Sequence, residues 1–409
     1  CSSDLRVIYP AIGGAFGGRE DMSVQIVLAL AAQRLQRPVK IVWSREESIR
    51  GHCKRHPMWY QCRWGATREG KLVAAEIRVV ADGGAYCYTT NKVLGNTTIT
   101  CTGPYEFPNV KVDVDGVYTN NPPSGAFRGF GAPQTIFGIE MFMHNLADTL
   151  GEEPLEFKQK YLIERGDSTS TGGTMHGKVK MPEIITKINK MSNYKDKYKN
   201  LAKNRGIGIS LFLHGCGFTG DGENNIKGEI ILEKKGSRII IKVSSTDMGQ
   251  GAETCLKKIV SHTLSIPMKD VIYKKVDTGK VPDSGPTVAS RTIMIVGGLL
   301  RSAALDLKNK WEENEDLTIS KIYAHPDYLK WDNATYQGDA YPIYSFGANV
   351  AEIEIDPVTL EISIDKLYAV YDVGTIIDEK GLRGQMEGGI VQGMGWATTE
   401  NMKTKQGKL

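Results

Sequence analysis

Five glycine-rich polar segments stand between well-patterned apolar stretches: residues 13–20 (GGAFGGRE), 125–134 (GAFRGFGAPQ), 247–251 (DMGQG), 284–290 (SGPTVAS) and 384–395 (GQMEGGIVQGMG). Glycine has no Cβ, so such segments bring bare backbone N–H groups close to anions and flat rings. Where one opens a helix, unpaired N–H groups and the helix dipole together favour a phosphate. Any one of them, taken alone, reads equally well as a tight turn. The first follows a strand-like run, but it breaks the G-x-G-x-x-G spacing and no acidic residue ends the next strand at the expected distance, so a dinucleotide-binding fold is rejected. No Walker pattern and no G-x-S-x-G elbow occurs.

Other chemistry is thinly represented. The seven cysteines (1, 53, 62, 87, 101, 216, 255) are scattered, with no C-x-x-C pair, so neither a disulfide framework nor a zinc or iron–sulfur site fits them, and a reducing cytoplasmic compartment is expected. His52 and His56 are four apart, but no glutamate completes H-E-x-x-H and Pro57 follows at once, which favours a structural role.

The elements that must position these segments read as follows. Residues 5–9 form a strand, 22–35 a helix with Met22, Ile26, Val27, Leu30 and Ala31 at helical spacing, and 39–43 a short buried strand. Strands at 72–81 and 110–118 precede a Pro/Gly loop at 120–132 and a helix opening at Pro133. Residues 166–205, rich in glycine, serine and threonine and then in lysine, read as a linker between a first unit (1–165) and a second (206–409). The second unit reads as strands at 207–213, 228–232 and 239–243, helices near 251 and over 291–311, a hairpin turning at 356–359, and a last helix near 384–396. Without regular βαβ alternation, an α+β class is expected.

The 409 residues carry 51 basic and 47 acidic side chains, interleaved along the chain, so nothing resembles the one-sided basic face of a nucleic-acid binder. No apolar run approaches the roughly 18 residues needed to span a bilayer, and the first ten residues lack the regions of a secretory signal.

Taken together and in order, GGAFGGRE, AFRGFGAPQ, DMGQG, PTVAS and GQME resemble the molybdopterin-binding loops of the xanthine dehydrogenase and aldehyde oxidase family, and the likeness runs from about residue 5 to about residue 400. In that family the metal is held by the pterin dithiolene, which suits a chain without a His/Cys ligand cluster. The resemblance implies a molybdenum–molybdopterin cofactor, expected in its cytosine dinucleotide form, and hydroxylation of an electron-poor C–H with water as oxygen source. Electrons would leave through [2Fe–2S] clusters and FAD on partner subunits or in segments outside this chain.

By the same resemblance, Phe16, Gly17 and Arg128 lie beside the metal. Met248, Gly249, Gln250, Thr287, Ala289, Ser290 and Gln385 offer backbone, hydroxyl and amide groups to the cofactor. Phe130 and Phe218 match two phenylalanines that hold a flat heteroaromatic substrate, one by its face and one by its edge. Taken singly each would read as core, but both stand in glycine loops. Glu20 matches a substrate-facing carboxylate of purine-oxidising members, able to relay a proton; its plain alternative is a solvated acid at a helix start.

Asn96 stands, by the landmark PYEFPN at 104–109, where well-known xanthine oxidases have an arginine orienting the oxo-purine. An amide can hydrogen-bond a carbonyl but cannot stabilise negative charge as a guanidinium does, which counts against xanthine itself. The family's general-base glutamate belongs to a G-E-P-P-like motif that is absent from these residues, so the chain is expected to be a part lacking stretches at both ends. The leading expectation is a purine hydroxylase. Alternatives are a nicotinate- or aldehyde-oxidising relative, or a non-catalytic half that completes a split molybdenum site with a complementary molybdopterin subunit.

Overall fold

The computed structural model describes residues 5–223, 225–311, 315–403 and 405–406. Helices α1 (Gln25–Leu35) and α2 (Arg45–Gly51) lead into β1 (Met58–Ala66) and β2 (Leu72–Gly84), followed by α3 (Thr90–Ile99) and β3 (Val110–Tyr118). β1 pairs with β2 antiparallel, and β2 with β3 in parallel. The buried face of β2 (Leu72, Ala75, Ile77, Val79) packs against Ile139, Met143 and Ala147 of α4 (Ala132–Leu150) and against Phe157 of α5 (Pro154–Gln159).

Two helices, α6 (Met181–Ser192) and α7 (Tyr194–Lys199), precede β4 (Arg205–Cys216). The expected linker is therefore largely structured. Met181, Ile184, Ile185 and Ile188 recur at helical spacing and are buried against the sheet that contains β4. The lysines that suggested a solvated joint occupy the outer faces of these helices, and α6 was hidden by its own polar half.

β5 (Glu229–Lys235) and β6 (Arg238–Lys242) form the expected hairpin, α8 (Ala252–Leu264) follows residues 247–251, and β7 (Val271–Tyr273) pairs with β6 in parallel. A π-helical turn at Thr292–Gly297 runs into α9 (Gly298–Asn309), so the helix expected over 291–311 begins with an irregular turn. β8 (Leu317–Ile322) completes the sheet β7-β6-β5-β8. The short strands β9 (Trp331–Asp332) and β10 (Gln337–Gly338) pair with each other, and β11 (Ile343–Ile355) and β12 (Ile362–Asp372) complete the antiparallel sheet β12-β11-β4. α10 (Glu379–Thr398) ends the helical content. The mixed sheets with packed helices make an α+β fold.

Two expectations fail. Residues 39–43 form no strand, and residues 5–9 form only an isolated bridge, Ile8 to Asp277. The last helix, expected near 384–396, is α10; it starts earlier, at Glu379, because the Asp378 side chain caps Gly381 N–H. Neither α1 nor α10 buries a residue, and Ile26, Val27, Leu30 and Val391 are exposed.

A buried ionic cluster crosses the expected domain boundary. Glu140 of α4 accepts from Tyr105 Oη (2.5 Å), Lys158 Nζ (2.8 Å) and Leu211 N–H of β4 (2.9 Å), and Lys158 also donates to the Ile209 carbonyl (3.2 Å).

Candidate functional site

The first two glycine segments touch backbone to backbone. Arg128 N–H donates to the Phe16 carbonyl at 2.8 Å. Gly17 (φ +101°) lies so close to residues 126–127 that an added Cβ would sit 2.6 Å from the Ala126 carbonyl oxygen. Phe16 itself has φ +54° and is exposed. Gly129, Phe130 and Gly131 all adopt positive φ, a tight bend that leads into α4 and leaves the Phe130 ring half-buried.

α10 docks on this pair through Arg128. The guanidinium donates to the Gln385 carbonyl (2.7 Å) and amide oxygen (3.2 Å) and to Gln392 Oε1 (3.4 Å). Gly388 and Gly389 admit it, each placing a hypothetical Cβ 3.5 Å from its atoms. Burial lowers the Arg128 pKa, and no carboxylate forms a salt bridge with it among the described residues. Behind it, Arg55 lies over the Phe127 ring (4.3 Å) and the Trp396 ring (5.0 Å) and donates to the Arg128 carbonyl.

Glu20 keeps an exposed face, yet desolvation, reinforced by the Asp21 charge, lifts its carboxyl to about 7. Asp21, which sequence reasoning passed over, is 4% exposed and receives no N–H donor on either oxygen among the described residues. Burial raises its pKa too, partly opposed by the Cys53 thiol. Its one visible signal was its place directly after Glu20. His52 follows the end of α2, with its ring edge-on to Trp43 (5.1 Å). His56 is buried against Thr90 (3.0 Å) and pushed down to about 4 by burial, which keeps it neutral.

The second group of segments joins in the other half. Thr246 N–H donates to Thr287 Oγ1 (2.8 Å), and Gly217 N–H donates to the Ala289 carbonyl (2.9 Å). Ala289 and Ser290 are consecutive non-glycine residues at positive φ, a strained bend. Gln250 spends its amide within its own loop, accepting from Met248 N–H (2.6 Å) and donating to the Thr246 carbonyl (2.8 Å). Asp247 accepts from the N–H groups of Gly249 (2.9 Å), Gly251 (3.4 Å) and Glu253 (3.0 Å). The start of α8 is thereby filled by a carboxylate, so the phosphate-at-a-helix-start argument does not apply there. The Phe218 ring is half-buried, and its N–H reaches Glu223 at 3.3 Å.

Asn96 is buried, and its amide is engaged inside the protein: Nδ2 donates to the Phe130 carbonyl (2.8 Å), and Oδ1 accepts from Tyr341 Oη (2.8 Å). The expectation that it points at substrate thus meets a side chain already committed at both ends. Thr219, next to Phe218, donates to Tyr341 Oη (3.1 Å) and so links the two groups of segments.

These features fit a large polar cofactor: close backbone approach at Gly17, a half-buried guanidinium facing only neutral oxygens, and strained bends bearing Ala289 and Ser290. The fold and this cradle define a cofactor-binding α+β chain. Two family models, each described as a molybdopterin cofactor-binding domain, match residues 2–162 and residues 186–321 with 309–409. The chain belongs to this molybdopterin cofactor-binding family. It is 29% identical to a probable xanthine dehydrogenase subunit of Bacillus subtilis, over 99% of this chain and 58% of that protein. It is 42% identical to the nicotinate dehydrogenase large molybdopterin subunit of Eubacterium barkeri, over 46% of this chain and 44% of that one. The aldehyde oxidoreductase of Desulfovibrio desulfuricans superposes with a TM-score of 0.89 at 25% identity, over 98% of this chain and 46% of that one. The chain therefore spans little more than half of the Bacillus relative and less than half of the Desulfovibrio structure. Among the described residues no helix is long and apolar enough to cross a membrane.

Proposed function

We propose that the chain is the molybdopterin-holding part of a hydroxylase that oxidises an N-heterocycle, with water as oxygen source and iron–sulfur and FAD partners as electron acceptors. The observation that carries this reading is the hydrogen-bonded convergence of glycine segments from both halves beside two half-buried phenylalanines. Bound molybdopterin, in a cytosine dinucleotide form, supplies the redox chemistry. Phe16, Gly17, Arg128 and Gln385 would hold it on one side. Met248, Gly249, Gln250, Thr287, Ala289 and Ser290 would hold it on the other.

Phe130 and Phe218 would sandwich a flat ring by face and edge. Glu20, with its carboxyl near 7, would exchange a proton with a ring nitrogen close to neutral pH. A purine such as hypoxanthine is the leading substrate, with nicotinate-like rings and aldehydes next. The exposed apolar residues of α1 and α10 support a covering partner.

A second reading has its own support. The stretch shared with the Eubacterium barkeri large molybdopterin subunit is 42% identical over 46% of this chain, against 29% for the Bacillus protein. This favours a half-subunit that completes its site with a complementary molybdopterin subunit.

Purification of the complex with its partners, metal and pterin analysis, and turnover of purines, nicotinate and aldehydes test both readings. Stoichiometric molybdenum with heterocycle oxidation is expected. A complex without molybdenum or pterin overturns the first reading, and full occupancy of this chain alone overturns the second.

A further inference from the structure

Phe130 and Phe218 come from opposite halves of the chain, and each follows a glycine at positive φ, Gly129 and Gly217. Three side chains run between their loops head to tail. Thr219 Oγ1 donates to Tyr341 Oη (3.1 Å), Tyr341 Oη donates to Asn96 Oδ1 (2.8 Å), and Asn96 Nδ2 donates to the Phe130 carbonyl (2.8 Å). Each hydroxyl donates onward, so every link has one direction and the chain polarises cooperatively.

The surroundings make this relay stiff. Asn96 and Tyr341 are only 4% and 6% exposed. The Tyr341 ring lies on Gly215, where an added Cβ would sit 2.1 Å from it. Gly220 N–H holds the Ala340 carbonyl at 2.8 Å. Gly131 packs on Thr97, one residue past Asn96, where a Cβ would lie 2.4 Å from the hydroxyl. Both loop ends are therefore pinned, and the relay sets their separation.

We infer that Asn96, Tyr341 and Thr219 are positioning residues that gauge the slot between Phe130 and Phe218 and thereby select which heteroaromatic ring system fits. The inference rests on the functional reading above. Aromatic pairs prefer offset or edge-to-face arrangements within a narrow range of separations, so a shift at either loop changes the fit of a one-ring and a two-ring substrate unequally. None of the three residues touches substrate; each acts through a phenylalanine.

The test uses the complex with its partner subunits, with nicotinate as the one-ring probe and quinoline as the two-ring probe. Tyr341→Phe and Thr219→Val each remove one hydroxyl, and Thr219→Ser restores it. Equilibrium binding of both probes is read by fluorescence titration, alongside KM, kcat and Tm. Tyr341→Phe and Thr219→Val should shift the ratio of the two affinities by about tenfold, with kcat on the better substrate nearly unchanged. Thr219→Ser should keep the wild-type ratio. If Tyr341→Phe fails to fold, the Thr219 pair decides alone. Equal changes for both probes, no change, or Thr219→Ser behaving as Thr219→Val would overturn the gauge and indicate a structural role only. Wild-type complex that binds neither probe and no purine defeats the functional reading, and the gauge falls with it.

Discussion

Arg291 clasps Glu223 with Nε on one carboxylate oxygen (3.0 Å) and a terminal nitrogen on the other (3.1 Å), and both side chains are 1% exposed. The same guanidinium donates to the Ser284 carbonyl (2.7 Å), while Glu223 receives Phe218 N–H, so the pair ties the Phe218 loop to residues 284–290. Removing one partner leaves an uncompensated buried charge. Arg291→Ala should therefore lose about 3–5 kcal/mol, and the double variant Arg291→Leu/Glu223→Met should lose less than either single change. Thermal melting of the four proteins checks this, and a double variant worse than both singles would refute it.

Glu20 should set a pH dependence. A carboxyl whose folded pKa lies above its unfolded value holds its proton more tightly when folded. The resulting stabilisation is complete below about 4.5 and is lost as pH rises through about 7. Burial pushes Asp21 in the same direction. Glu20→Gln should flatten the decline in Tm between these two values and lower kcat/KM on a purine by roughly 10²–10⁴-fold while molybdenum stays bound. Melting curves across pH, with metal analysis, decide the matter.

Two glycines of one segment should respond oppositely to alanine. At Gly13 nothing lies within 4 Å of an added Cβ, whereas at Gly17 the Ala126 carbonyl oxygen lies 2.6 Å away and φ is +101°. Gly13→Ala should change stability by less than about 0.5 kcal/mol. Gly17→Ala should cost about 1–3 kcal/mol and part the two segments, lowering cofactor content. Equal melting temperatures for the two variants would contradict this geometry.

Gln250→Ala removes two hydrogen bonds that shape residues 246–250. A loss of about 1–3 kcal/mol is expected, together with reduced molybdenum after gel filtration. Wild-type occupancy in the variant would show that this loop does not hold the cofactor.

Much of this arrangement was legible in residue pattern. Alternation placed β3 at the same bounds the structure has, Pro133 marked the start of α4, and glycine spacing located the segments that converge. What escaped was decided by tertiary partners. Residues 39–43 look like a strand because they are apolar, but no neighbouring strand pairs with them among the described residues. α6 was masked by its polar outer face, whereas α10 was read and only its first turn was missed; its glycines Gly388 and Gly389 let Arg128 approach. The commitment of Asn96 to Tyr341 depends on a residue 245 positions away, which no local pattern reports.

The Glu140–Lys158 cluster bears on how this chain can be cut and recombined. Leu211 N–H and the Ile209 carbonyl find their side-chain partners across the boundary that sequence suggested between two units. Severed near residue 165, the front piece would keep a desolvated carboxylate and ammonium short of two contacts, and the rear piece would expose an edge of β4. The halves are thus not interchangeable modules. Chimaeras that join the front of one relative to the rear of another will assemble only where α4, α5 and β4 are exchanged together, and the chain should melt in one cooperative step.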